Sequence, residues 1–169
     1  MKTLKIITLV IISASTLFSA DVVKVERMSM DLAMEVAKKS VESCRDKGFW
    51  VSAVVVDRSA NIQVTLRDTH AARFTMDIAA QKANLMIMSG INTSEFVPKR
   101  SDIRNELNNI DGLIMMQGGV AIKSGDTLLG AVGVSGAPGG DIDEACALEA
   151  LDSLKERLAF ALMAEDEDE

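Results

Sequence analysis

The feature that most constrains this chain is a pair of β-branched runs joined by only five polar residues. Phe49–Val56 is almost wholly apolar, and Ile62, Val64 and Leu66 alternate with Asn61, Gln63, Thr65 and Arg67. Asp57-Arg58-Ser59-Ala60-Asn61 connects the two. A parallel pairing needs a crossover of a dozen or more residues, so a connection this short makes the runs antiparallel neighbours. The alternation gives the second strand one polar face, as antiparallel sheets commonly have.

The flanks supply helices. Met30, Ala33, Ala37, Val41 and Cys44 recur at three- and four-residue steps, which predicts an amphipathic helix over Met30–Lys47, capped by Ser29 and closed by Gly48. Phe74–Ser89 is apolar on nearly every side and reads as a central buried helix ended by Gly90, with Asp77 suited to its positive end. Shorter helical pieces are expected at Ser94–Val97 and Ser101–Leu107, separated by Pro98.

Strands resume at Leu113–Met116, Val120–Lys123 and Thr127–Ser135, divided by Gly118-Gly119 and Ser124-Gly125-Asp126. Gly130 and Gly133 inside the last of these point to a bulge or a close approach of another backbone. A final helix is expected over Ile142–Met163, with Asp141 as its cap and Glu144 three residues on. The whole reads as one α+β domain: a single antiparallel sheet of about five strands, packed by N- and C-terminal helices and a central buried helix.

The ends read differently. Lys2 and Lys5 precede an apolar run, Ile6–Phe18, and then Ser19 and Ala20, the order of a secretory leader over residues 1–20. Phe18 leaves the cleavage position open. The domain is expected over residues 21–164, exported to the periplasm or beyond, with Glu165–Glu169 a solvated acidic tail.

Charge excludes several partners. The net charge of −7 disfavours nucleic acid and anionic lipid. One His argues against multi-His metal chemistry, and no Cys or His pair has zinc-like spacing. Cys44 and Cys146 fall on the first and last helices; a disulfide, two separate core thiols, and ligation of a metal or cofactor all remain open. The ten Met residues, Met86, Met88, Met115 and Met116 among them, read first as core filling.

Two segments could carry chemistry. Ser135-Gly136-Ala137-Pro138-Gly139-Gly140-Asp141 joins a strand to a helix, and its N–H groups could hold a carboxylate or phosphate. It lacks a Walker Lys and the full G-x-S-x-G pattern, so neither a nucleotide loop nor a Ser hydrolase is expected. The plain alternative is a tight turn that folds the last helix back on the sheet. Arg67, Asp68, His70 and Arg73 lie at a strand-to-helix joint, where His70 could be an axial iron ligand and the arginines could pair with propionates. The plain alternative there is a solvated surface loop.

Together, VVVDRSANI (Val54–Ile62), MDIAAQKA (Met76–Ala83) and QGGVAIKSGDTLLGAVGVSGAPGGDIDEACA (Gln117–Ala147) resemble the family of extracellular haem-binding HbpS and GlcG proteins, which also includes the PduO C-terminal domain. The resemblance spans about Met28 to Leu158. It implies a five-stranded antiparallel sheet, homo-oligomers and, for some members, haem or iron binding or haem degradation; one member acts beside a membrane sensor. Ala60 stands where the family usually has Gly, His70 stands where it commonly has Gly, and the acidic tail is atypical.

The leading expectation is therefore an exported haem-binding protein. Its crevice would run from Arg67 through His70, Arg73 and Phe74 to the turn containing Ser135, Gly136, Gly139 and Gly140. His70 would ligate iron, Arg67 and Arg73 would pair with propionates, and Phe74 would pack on the macrocycle. A module holding a small organic acid between Arg67 or Arg73 and the N–H groups near Gly139 and Gly140 is the second reading. An oligomeric interaction protein is the third. No nucleophile and base converge, so an enzyme ranks last.

Overall fold

Ser29 caps α1 (Met30–Asp46) through its hydroxyl, which accepts a hydrogen bond from the Leu32 amide at 3.2 Å. In this computed structural model the described residues are 22–162, so the expected leader and acidic tail lie outside them. The apolar stripe of α1 is Leu32, Ala33, Val36, Ala37, Val41 and Cys44. Met30, assigned to that stripe from spacing, is instead 66% exposed, because it opens the helix one turn before the face settles on the sheet.

The chain then forms β1 (Ser52–Asp57), β2 (Ile62–Arg67), α2 (Phe74–Ser89), α3 (Thr93–Lys99), α4 (Arg104–Asn108), β3 (Gly119–Ser124), β4 (Thr127–Ser135), α5 (Gly140–Ser153) and α6 (Lys155–Phe160). A 3₁₀ turn at Ser101–Ile103 precedes α4. Pro98 sits in the last turn of α3 rather than between two helices, and the helix ends one residue later.

The sheet is antiparallel, with order β2-β1-β4-β3. Its central seam pairs Ser52 with Ser135 and Asp57 with Gly130. Val51, Ala53 and Val55 join the cluster under α1 and α5, whereas Val54 and Val56 join the one under α2. Covering on both faces explains why β1 is a continuous apolar run while the edge strand β2 alternates.

Glycines let α2 lie directly on the sheet backbone. A Cβ at Gly133 would sit 1.9 Å from the Ala79 carbonyl oxygen, and one at Gly119 would sit 2.2 Å from that of Lys82. This is the close approach that strand glycines signalled. The ends of α2 escape burial, since Phe74 and Met88 are exposed.

Leu113–Met116, expected as a strand, joins no sheet, which therefore has four strands. Its backbone is held by side chains instead: the Met115 amide donates to Asn108 Oδ1 at 2.8 Å, and Arg104 donates to the Met115 carbonyl at 2.6 Å. Met115 is thereby sunk against Leu85, Val97 and Leu107. The expected single last helix breaks at Leu154 (φ −108°, ψ 8°), and Leu154 and Leu158 both pack into the main core. Its first residue is Gly140, with Gly139 at the cap position, so Asp141 lies inside the first turn and does not cap.

Candidate functional site

The α1 terminus, the joint after β2 and the turn after β4 meet at one end of the central seam. Pairing of Ser52 with Ser135 sets the residues before β1 beside those after β4. Between them opens a cleft of about 330 Å³. Gly48, Phe49 and Trp50 form one wall, His70, Ala71, Ala72 and Thr75 a second, and Gly136 and Pro138 the third.

Each wall has a local cause. The Phe49 amide donates to the Cys44 carbonyl at 3.0 Å, turning the chain out of α1. Gly136 has φ +136°, and a Cβ there would lie 2.6 Å from the Trp50 carbonyl oxygen, so only glycine lets the third wall approach the first. Cys44 and Cys146 are disulfide-bonded, with Cα atoms 5.3 Å apart. The bond fastens α1 to α5, the two helices whose adjoining loops bear the first and third walls. Of the three states left open for these cysteines, pairing is the one found.

The second wall is braced from below. Asp68 accepts from Arg45 Nε at 2.8 Å and from the Thr69 amide at 2.6 Å, while its own amide donates to the Val51 carbonyl at 3.0 Å. The Arg45 guanidinium holds the Asp68 carboxyl below the ordinary carboxylate range. His70, two residues on, packs T-shaped against Trp50, with centroids 5.1 Å apart and planes at 72°. Neither imidazole nitrogen has a hydrogen-bond partner among the described residues. Trp50 itself is half exposed.

The other residues singled out from sequence have different surroundings. Arg67 donates to the carbonyls of Ala71 at 2.5 Å and Thr69 at 3.5 Å, which shapes the His70 turn without reaching the cleft lining. Arg73 stacks on Phe74, its guanidinium carbon 4.4 Å from the ring centroid, just beyond the lining residue Ala72. Ser135 is buried in β4. Gly139 and Gly140 begin α5, and Gly140 packs against Gln117, where a Cβ would meet the carbonyl oxygen at 2.7 Å. The structure thus brings His70 and Gly136 together and leaves Arg67, Arg73, Phe74, Ser135, Gly139 and Gly140 outside the lining.

Phe49 and Trp50 escaped the sequence reading as site residues, and Pro138 was named only as part of the Gly-rich turn. The available signal was Trp50 itself, the single Trp of the chain, placed two residues after a helix-ending glycine.

A buried ionic network, also unread from sequence, anchors the Gly-rich turn. Lys82 Nζ donates to Asp143 Oδ2 at 2.7 Å and to the Val134 carbonyl at 3.0 Å. Asp143 Oδ1 accepts from the Ala137 amide at 3.0 Å. Burial pushes the Asp143 carboxyl up, with Lys82 opposing. Next to it, Glu144 accepts from Thr93 Oγ1, the Ser94 amide and hydroxyl, and the Gly118 amide. With every strong partner satisfied and no solvent access, this network positions elements rather than meeting a ligand.

Comparison with known proteins gives a consistent picture. The family model for haem degrading protein HbpS-like matches residues 28–152. Among solved structures, HbpS is 30% identical with a TM-score of 0.73, covering 79% of this chain and 94% of that one. A double mutant of Streptomyces reticuli HbpS is 31% identical with a TM-score of 0.73, covering 80% of this chain and 92% of that one. The Klebsiella pneumoniae protein ORFY is 26% identical with a TM-score of 0.72, covering 81% and 97%. The PduOC:heme complex shares the fold at 21% identity and a TM-score of 0.66, covering 76% and 95%. No curated protein matches.

Proposed function

The chain belongs to the HbpS-like family, and from that membership we propose that it binds haem outside the cytoplasm, with His70 as the iron ligand. The observation that carries the reading is the imidazole of His70, without a hydrogen bond at either nitrogen among the described residues and T-shaped against Trp50 in the open cleft.

The residues present suit the group. An imidazole is a common axial donor, and its neighbours Phe49, Trp50, Ala71, Ala72 and Pro138 offer apolar surface to a macrocycle face. Arg73, next to the lining residue Ala72, is the cation for a propionate, because Arg67 is engaged by two carbonyls. A cleft of this size sits near the lower end of ligand pockets, ~300–1,000 Å³, so part of a haem would extend beyond it. Self-association would cover that part. Bound haem supplies iron-centred redox chemistry, and sensing or breakdown of haem, with any membrane sensor partner, would follow from occupancy of this one site.

Export draws support from two sides. The leader-like order of Lys2, Lys5 and Ile6–Phe18 precedes the domain. The Cys44–Cys146 bond belongs to oxidising compartments. The small-organic-acid reading would need Arg67 or Arg73 beside Gly139 and Gly140, but Gly140 packs against Gln117 and the cleft lining includes neither arginine nor either of those glycines.

A haem titration of the full chain tests the proposal, following the Soret band and the emission of Trp50, the single Trp, beside His70→Ala. Saturable binding of one haem per subunit with quenched emission is expected, with a shifted band and weaker binding in the variant. Absence of saturable binding at micromolar protein would overturn the function, and identical titrations of both proteins would remove His70 from the site.

A further inference from the structure

A second open groove, of about 420 Å³, lies between the β1–β2 turn, the C-terminal half of α2 and the loop before β3. The haem cleft uses Thr75 at the start of α2; this groove uses Asn84, Ile87 and Met88 near its end. Its floor is apolar. Ile87 and Met88 face it from α2 and Ile110 and Leu113 from the loop, with Met88 46% and Ile110 50% exposed.

The walls are held in place without a ligand. Asn84 Nδ2 donates to the Gly112 carbonyl at 3.0 Å, tying the loop to α2. Asp57 Oδ1 accepts from the amides of Ser59 and Asn61 and braces the opposite turn. Ala60 in that turn lies at φ +62°, the only non-glycine with positive φ among the described residues.

Two opposite charges line this apolar groove, Arg58 on the turn and Asp111 on the loop. Neither side chain has an ion-pair or hydrogen-bond partner among the described residues. A lone anion would be drawn to Arg58 and repelled by Asp111, and a lone cation would meet the reverse. A ligand with both charges on a short apolar body satisfies the two at once.

We propose that this groove binds a free apolar α-amino acid. Its carboxylate pairs with Arg58, its ammonium pairs with Asp111, and its side chain lies against Ile87, Met88 and Ile110. A peptide terminus carries only one of the two charges and is a poorer match. The site is separate from the haem cleft, so either assignment can fail without the other.

Calorimetric titration of the full chain with L-leucine and L-methionine tests it, with isocaproate (carboxylate only) and isoamylamine (ammonium only) as comparison ligands. Saturable binding of the amino acids is expected, weakened about tenfold or more in Arg58→Gln and in Asp111→Asn, the scale of one charge-assisted contact. Both side chains are unpaired and exposed, so circular dichroism should report an intact fold for each variant. No saturable amino-acid binding overturns the proposal. So does binding unchanged in both variants, and so does isocaproate or isoamylamine binding as tightly as leucine.

Discussion

Lys82 Nζ lies 2.7 Å from Asp143 Oδ2, and both side chains are sealed from solvent between α2 and α5. Breaking one half of such a pair strands the other charge, at a cost of about 3–5 kcal/mol. Lys82→Met should lower the unfolding free energy in urea by that much. Adding Asp143→Leu should recover part of it, though the Ala137 amide then loses its acceptor. A single variant as stable as the wild type would show that the pair does not hold α5 to α2.

The disulfide should matter as much. Cys44 and Cys146 are separated by 102 residues, and removing a native bond of this kind typically costs about 2–5 kcal/mol. Cys44→Ala with Cys146→Ala should unfold at lower denaturant. If the cleft holds haem as proposed, the affinity should fall as well, because two walls of the cleft lose their common tether. Equal stability with and without reductant would contradict this.

Gly133→Ala probes how closely α2 sits on β4. The added methyl would be driven into the Ala79 carbonyl, and overpacking of a tight contact costs about 1–3 kcal/mol or more. Gly125→Ala is the useful contrast, since a Cβ at Gly125 meets nothing within 4 Å and only its positive φ opposes the change. Thermal melts of the two should differ clearly, with Gly133→Ala the lower.

Asp68 and Asp143 contribute to acid stability with opposite sign. Asp68 is lowered by its hydrogen bond from Arg45, so its stabilisation is present above the ordinary carboxylate range and is lost as pH falls through its lowered value. Asp143 is raised by burial, so the folded state binds its proton more readily and stability declines as pH rises from the ordinary range through the raised value. Denaturant melts across acidic pH should show the stability gap between wild type and Asp68→Asn growing with pH and then levelling off. A gap independent of pH would rule out the Asp68 assignment.

Local chemistry made much of this fold legible. The five-residue connection gave the β1–β2 hairpin, Gly90 marked the end of α2, and Gly133 announced a close neighbour before that neighbour was known. What could not be read depended on partners remote in sequence. Leu113–Met116 has strand composition, yet Asn108 and Arg104 take its backbone groups first. Lys82 looks like a surface residue until Asp143 arrives from 61 positions away. The cleft is legible only in part for the same reason: His70 and Gly136 stand out as residue types, but Trp50 joins them only through the β1–β4 register.

That register also orders the events of folding. The hairpins β1–β2 and β3–β4 each close through a short turn, while the β1–β4 seam must draw together strands that begin at Ser52 and end at Ser135. Loop-closure entropy makes the seam the late and slow step. Cys44 and Cys146 ride on the helices that pack over it, so their sulfurs meet only after the two halves have docked. Oxidation therefore does not steer this chain toward its topology. It makes permanent a docking that packing has already selected, and a chain trapped before docking would leave its thiols reduced.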